Sequence, residues 1–389
     1  MQENTKRGDH LRRIIIAALA VFAGIIGLTA CEKTAAPNPP NSVHTNSPKP
    51  VDLDNDTTVT QTQEVKDLEQ FITSKLTGEY GVYTNLIETD QSAEAASGHE
   101  VLSESASIQM LAAVRSGQQE RFAELWNLAK QIFDINSGFS YRYSPKQQKQ
   151  YPLNAGVDDL RMIRALYEAG EKFGDTGYTA EADKYGERFF NYNIKNGKVY
   201  DFYDMEYSST NTFVTLCYIN LSTLQKMLIP SQFSEKLTDN MNEILEKGYL
   251  SDEFPFYETR FNYETGKYSS ENINTVESLL SILALAEVDQ QKSSSIDFIK
   301  QQVEAGTLYG QYSREGKPLN DIRSTAIYAI TAMIGAEIGD EFLYHTSIEK
   351  MNEFRVTEVS SSLYGGFGDV ASGQAYSFDN LMALLAYVY

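Results

Sequence analysis

The chain has 389 residues, with 53 acidic side chains against 33 basic ones and a net charge of −20. That balance excludes recognition of nucleic acid or other anionic polymers through bulk charge. With only Cys31 and Cys217 to pair, a disulfide-stapled scaffold is excluded as well.

Lys6, Arg7, Arg12 and Arg13 precede an apolar run, IIIAALAVFAGIIGLTA, that ends at Cys31. A charged segment followed by a short apolar one reads as an export signal. Leu28-Thr29-Ala30-Cys31 resembles a bacterial lipobox, which implies cleavage before Cys31 and lipidation of its thiol. Residues 31–62 are then a lipidated cysteine and a tether. The tether is rich in Pro, Asn, Ser, Thr and Asp and holds too few aliphatic side chains to fold. We therefore expect a signal peptide at 1–30, the tether at 31–62 and one globular domain at 63–389. That domain would be held outside the cytoplasm by the lipid on the cell membrane.

Within the domain, apolar residues recur at helical spacing, and extended alternating runs are scarce. Helices are expected near 65–77, 102–116, 118–134, 157–173, 178–193, 209–227, 232–248, 271–287, 293–306, 319–337, 340–354 and 373–389. One member of each pair is apolar nearly all round, as in IQMLAAV, FVTLCYINL and STAIYAITAMIGA, and should be buried. Its partner is amphipathic, as in SSSIDFIKQQVEAG. The apolar helices begin near 103, 158, 210, 273, 321 and 377, a period of roughly fifty residues. Six such pairs predict an all-α fold, an (α/α)6 barrel of six inner and six outer helices, with an open solenoid as the alternative. Cys217 falls in an apolar run and reads as a small buried hydrophobe.

Polar, tyrosine-rich loops precede the inner helices. Examples are SGFSYRYSPKQQKQYPLNAGVDD, which holds Tyr141, and FPFYETRFNYETGKYSSENIN. Loops on a rigid scaffold carry function, and aromatic faces among Asp, Asn and Arg suit sugar rings. They also suit a plain plug for the barrel end, and a single Trp in the chain counts against a glycan cleft.

His10, His44, His99 and His345 lie too far apart in chain and region to meet, so neither metal coordination nor Ser-His-Asp catalysis is expected. No phosphate-binding or dinucleotide motif is present, and no cofactor is expected. What remains is carboxylate acid–base chemistry. Glu104, Asp158, Asp159, Glu277, Asp321 and Asp379 stand at the expected starts of inner helices. Each alone is explained by helix-dipole stabilisation of about 0.3–1 kcal/mol. Gathered on one rim, they would raise one another's pKa, which is what a general acid needs.

The stretch SESASIQMLAAV followed by RFAELWNLAK resembles glycoside hydrolase family 8. The resemblance rests on Ser103-Glu104, on Met110 six residues later, and on Leu125-Trp126-Asn127 in the next helix. VDDLRMIRALYEAGEKFGDTGYTAEA is similar to the family's Asp-rich segment and the helix after it. The resemblance implies inverting hydrolysis of a β-linked polysaccharide by an (α/α)6 barrel. Glu104 then matches the proton donor. Asp159 matches the second Asp of an Asp-x-Asp pair that holds the central sugar, with Val157 where the first should stand and Asp158 beside it. The family's base lies three residues before an Arg. Counted from Arg323 that position is Asn320, so the neighbouring Asp321 is the expected base, with Asp158 and Glu277 as substitutes. Ser105, Ser107 and Gln109 depart from the glycines of the family motif.

The sequence thus predicts a lipid-anchored endo-glycosidase. Its catalytic residues would be Glu104 and Asp321, with Asp158, Asp159, Tyr141, Arg323 and Glu277 binding substrate. Its partners would be a secreted exopolysaccharide, the membrane and the exopolysaccharide synthesis or export machinery. Two alternatives stay open: an inactive glycan-binding or assembly factor on the same barrel, and a lyase acting on uronic-acid polymers.

Overall fold

The computed structural model of the protein describes residues 62–389; the expected signal, Cys31 and nearly all of the tether lie outside the described residues. The helices, in chain order, are α1 (Gln63–Lys75), α2 (Ser103–Arg115), α3 (Gln119–Phe133), α4 (Gly156–Phe173), α5 (Thr176–Asn193), α6 (Leu221–Lys226), α7 (Ser231–Lys247), α8 (Thr275–Ala286), α9 (Ser293–Ala305), α10 (Thr325–Glu337), α11 (Glu341–Asn352) and α12 (Ser377–Tyr387). Among the described residues no helix is long and apolar enough to cross a membrane.

Burial sorts these helices into two layers. In α2 every residue from Ser107 to Val114 is buried, as expected for a helix apolar nearly all round. The following α3 buries one stripe, Phe122, Leu125, Trp126, Ala129, Ile132 and Phe133, at the spacing of a single helix face. Around the inner layer α2 packs on α4, α4 on α6, α6 and the turn before it on α8, α8 on α10, α10 on α12, and α12 back on α2. The ring closes, so the architecture is the (α/α)6 barrel and not the open solenoid.

The third inner position departs from expectation. Instead of one helix over 209–227 the chain forms a strand, Phe213–Thr215, a single 3-10 turn, Leu216–Tyr218, and the six-residue α6. Asp201 holds the break open, because its carboxylate takes hydrogen bonds from Thr215 N at 2.7 Å and Thr215 Oγ1 at 2.6 Å. Helix restarts only where Asn220 caps α6 by accepting from Thr223 N. The strand joins Arg260–Asn262 and Lys267–Ser269 in an antiparallel sheet, with Thr215 opposite Arg260 and Arg260 opposite Ser269. The fifth inner helix also starts later than expected, at Thr325. For α10 the reason is Ser324, whose hydroxyl accepts from Ile327 N. That cap leaves Asn320, Asp321 and Arg323 in the preceding loop.

The ends of the barrel differ. Where the inner helices finish, Arg115 pairs with Glu168, and Arg164 pairs with both Glu168 and Glu287. Ser222 and Tyr389 also donate to Glu287, at 2.9 and 3.1 Å, and Arg115 lies 4.0 Å over the Tyr389 ring. This network draws on α2, α4, α6 and the segments after α8 and α12, so it plugs that end. The site must open at the other.

Candidate active site

Glu104 is in the first turn of α2, half-buried, at the open end. The approach to it is rigid. Val101 and Leu102 pair with Tyr143 and Arg142 in a short antiparallel ladder. Behind the ladder the buried Arg142 grips Glu100 through two hydrogen bonds of 2.7 Å. Ser103 N then donates to the Tyr141 carbonyl, which fixes the start of the helix.

No described residue hydrogen-bonds the Glu104 carboxyl. Burial pushes its pKa to about 8, helped by the charge of Asp158 and opposed by Arg161. Asp158 is buried, accepts from Ser103 Oγ at 2.7 Å and pairs with Arg161 at 3.1 Å. Burial raises its pKa too, against those donors. With donors on Asp158 and none on Glu104, the proton resides on Glu104. A protonated carboxyl beside an ionised one is the arrangement a general acid requires.

Asp159, next along α4, faces a different set of groups. Asn154 Nδ2 donates to it at 2.7 Å and Phe139 N at 3.2 Å, and burial holds its pKa well above the usual carboxylate range. Gly138 passes so close that a Cβ there would sit 2.0 Å from Asp159 Oδ2, which is why a glycine occupies the position. Of the two acids, Asp158 shares the Ser103 and Arg161 network that flanks Glu104.

Glu277 is in the first turn of α8, half-buried, its backbone N bonded to Asn274 Oδ1. Burial pushes its pKa to about 7 against Thr259 and Arg260. Asp379, in the first turn of α12, accepts from Ala326 N at 3.0 Å and is pushed to about 6 by burial. Asp321 does not begin α10; it is exposed in the loop ahead of it. Arg323 reaches away to Glu353 at 2.8 Å and packs over Phe354. Tyr141 is buried, its ring edge-on to Tyr151, so it supports α2 through its carbonyl and offers no open face.

Sequence reasoning passed over Asp201, Tyr218 and Arg260. Asp201 sits in a polar loop, and its pairing with Thr215 brings Cys217 and Tyr218 to the rim. Cys217 is half-buried and free, not sealed in an apolar core. Burial and the neighbouring Glu277 and Asp201 raise its thiol pKa well above normal, which keeps it a weak nucleophile. The lone Trp126 packs between Phe139 and Tyr185 and belongs to the core. Among the described residues no cluster of three or more His, Cys, Asp or Glu could hold a metal.

A closed (α/α)6 ring with one end plugged and a proton-holding carboxyl at the other defines a six-hairpin glycosidase scaffold. Residues 60–228 match Glycosyl hydrolases family 8. A solved structure described as a novel alpha-amylase from Clostridium perfringens is 32% identical, with a TM-score of 0.78 over 84% of this chain and 97% of that one. PssZ from Listeria monocytogenes has the same fold at 20% identity, with a TM-score of 0.65 over 85% and 96% of the two chains. "Putative lipoprotein YdaJ" of Bacillus subtilis (strain 168) is 31% identical over 242 residues, 60% of this chain and 64% of its own, so the match spans less than two thirds of that relative. Residues 60–228 thus carry a family 8 glycosyl hydrolase domain, and the fold is shared with an endo-beta-1,4-glucanase of Acetobacter xylinum at 15% identity, with a TM-score of 0.59 over 84% and 97% of the two chains.

Proposed function

We propose that the protein is a lipid-anchored, extracytoplasmic endo-glycosidase that cuts a secreted exopolysaccharide by inversion. Glu104 donates a proton to the glycosidic oxygen. Asp321, open to solvent ahead of α10, activates water on the opposite ring face, while Asp158 and Asp159 order the rim around the central sugar. The single observation that carries this reading is the Glu104 carboxyl, left without a hydrogen-bond donor and pushed to about 8 beside a charge-stabilised Asp158. An acid with that pKa is protonated at neutral pH and ready to donate. Cys31 would carry the lipid, a reading supported by Leu28-Thr29-Ala30-Cys31 and by the name of the Bacillus relative.

The family resemblance favours a β-linked polymer. A second reading, an α-linked glucan, is favoured by the Clostridium structure, which is described as an alpha-amylase and is 32% identical. The test is a reducing-end and viscosity assay of the full chain on β-glucan, chitosan, amylose and the producing cell's exopolysaccharide, with Glu104→Gln alongside. Viscosity loss that disappears in the variant supports the proposal, and the polymer that responds decides the linkage. Binding without cleavage on every polymer would instead make the protein a glycan-holding barrel, as Asn320 at the family's base position would allow.

A further inference from the structure

The outer wall of the barrel carries a groove between α1 and α3. Gln109, Ala112 and Ala113 share one face of α2, and with Leu384 of α12 they form its floor. That face is not the one that carries Glu104, since five residues turn a helix by about 140° past a full turn. Ile72 of α1 and Leu125 of α3 line the sides. Gln118 Nε2 donates to Glu69 Oε1 at 2.8 Å, a bridge from the α2–α3 turn to α1 that closes the groove at the plugged end. Arg121 stands at the mouth. It pairs with Glu124 at 3.0 Å, whose side chain is 68% exposed, and a surface pair of that kind is worth little and readily exchanged.

Gln109 is the residue that asks for a ligand. It is only 8% exposed, and its amide, which opens on the groove, is bonded to no described residue. A buried amide left unpaired is costly, and in a native protein it calls for a partner. An amide donates and accepts at once, so it matches one peptide unit of a bound chain through two hydrogen bonds. The apolar side chains around it take an aliphatic residue, and Arg121 takes a carboxylate. At about 280 Å³ the groove is at the small end of ligand sites, a size for a few residues and not for a domain.

One segment of this chain has that chemistry within reach. Residues 32–61 contain a single leucine, Leu53, and no Ile, Met, Phe, Trp or Tyr. Leu53 stands between Asp52 and Asp54, ten residues before Gln63, where α1 begins. Ten residues of chain span up to about 33 Å. From Gln63 to Thr73 in the groove wall, α1 advances only about 15 Å. The chain is therefore long enough to turn back along α1. We propose that the groove is the seat of the chain's own residues 51–54, with Leu53 among Ile72, Ala112, Leu125 and Leu384, a peptide unit on the Gln109 amide, and Asp52 or Asp54 on Arg121. In the lipid-anchored reading, docking leaves residues 32–50 between Cys31 and the barrel and turns the α1–α3 wall toward the membrane. The docking itself does not depend on the barrel cutting a glycan.

The test is amide hydrogen exchange of the full chain, read by mass spectrometry over residues 48–58, with a free synthetic peptide of the same residues as the reference. Seated in the groove, the amides of residues 51–54 are expected to exchange about tenfold or more slowly than in the free peptide. Leu53→Asp should return them to the peptide's rate without touching the barrel, and Gln109→Ala should cut the protection by about threefold or more. Exchange of α2 and α3 is followed in the same spectra, so that a misfolded Gln109→Ala barrel is recognised, and Arg121→Gln then serves as the second groove variant. Exchange at the peptide's rate in the unaltered chain overturns the proposal. Protection that stays undiminished in Leu53→Asp, or in the folded groove variant, places the segment elsewhere and overturns it as well. Protection that rises with protein concentration would mean that the groove takes the segment of a second copy, and the seat within one chain falls.

Discussion

Ser103 Oγ lies 2.7 Å from Asp158 Oδ2, so the residue before Glu104 is bonded to the charge that raises the Glu104 pKa. A hydroxyl and the Arg161 guanidinium keep Asp158 ionised. Glu104, with no donor of its own, takes up the proton.

The pairing predicts a shape for the pH dependence. Glu104 must be protonated to act, and its pKa is about 8, so turnover is present below that pH and lost above it. Asp158→Asn removes the neighbouring charge and frees Arg161, and both changes lower the Glu104 pKa. The basic limb of the rate profile should move down by about one unit or more. Initial rates between pH 5 and 10 for the two proteins measure it. A limb that stays in place would mean that Asp158 does not act on Glu104.

Stability should follow the same groups. Glu104 is raised from 4.5 to about 8, Glu277 from 4.5 to about 7, and Asp201 and Asp379 from 3.8 to about 6. A group raised in the folded state binds its proton more tightly there than when unfolded. Its stabilising contribution is therefore full below the unfolded value and is lost as pH rises through the folded one. From these four, melting temperature should fall between about pH 4 and pH 8, and Glu104→Gln should flatten the upper part of that fall. Melting scans across the range, in constant salt, test it. A melting temperature that climbs steadily from pH 5 to pH 8 would contradict it.

The ring was legible in the sequence because apolar periodicity reports burial directly. STAIYAITAMIGA and NLMALLAYVY are apolar on nearly every face, and both proved to be inner helices. The third inner position was not legible. FVTLCYINL is as apolar as its neighbours, and what breaks it is a carboxylate more than a dozen residues upstream, a contact that no local pattern encodes. Glu104 could be found because its motif and its helix start coincide in one segment. Arg260 could not, since strand pairing with Thr215, 45 residues away, brings it to the rim. Asp321 was placed one turn too far along because Ser324, not the acid, caps α10.

The base can be found by chemical rescue. Asp321→Ala should cut kcat by about 10²–10⁴, the usual worth of a general base, with little change in binding. Azide, which needs no deprotonation to attack, should restore turnover and give the inverted glycosyl azide. Rescue in Glu277→Ala or Asp158→Ala but not in Asp321→Ala would transfer the role to the carboxylate that responds.

At the plugged end, Glu287 links α8 to Arg164 of α4, Ser222 of α6 and Tyr389 beyond α12, and its side chain is only 5% exposed. Breaking a buried ion pair from one side strands the other charge, at a cost of about 3–5 kcal/mol. Glu287→Gln keeps the volume and leaves Arg164 with Glu168 alone, so the expected loss lies at the lower end of that range. Because the cleft is at the opposite end of the inner helices, kcat and KM of the folded fraction should not move. Denaturant unfolding and steady-state rates on the same preparation separate the two effects. A Glu287→Gln protein that keeps its stability would show that the plug is dispensable. One that loses turnover while still folded would show that the two ends of the barrel are coupled through the inner helices.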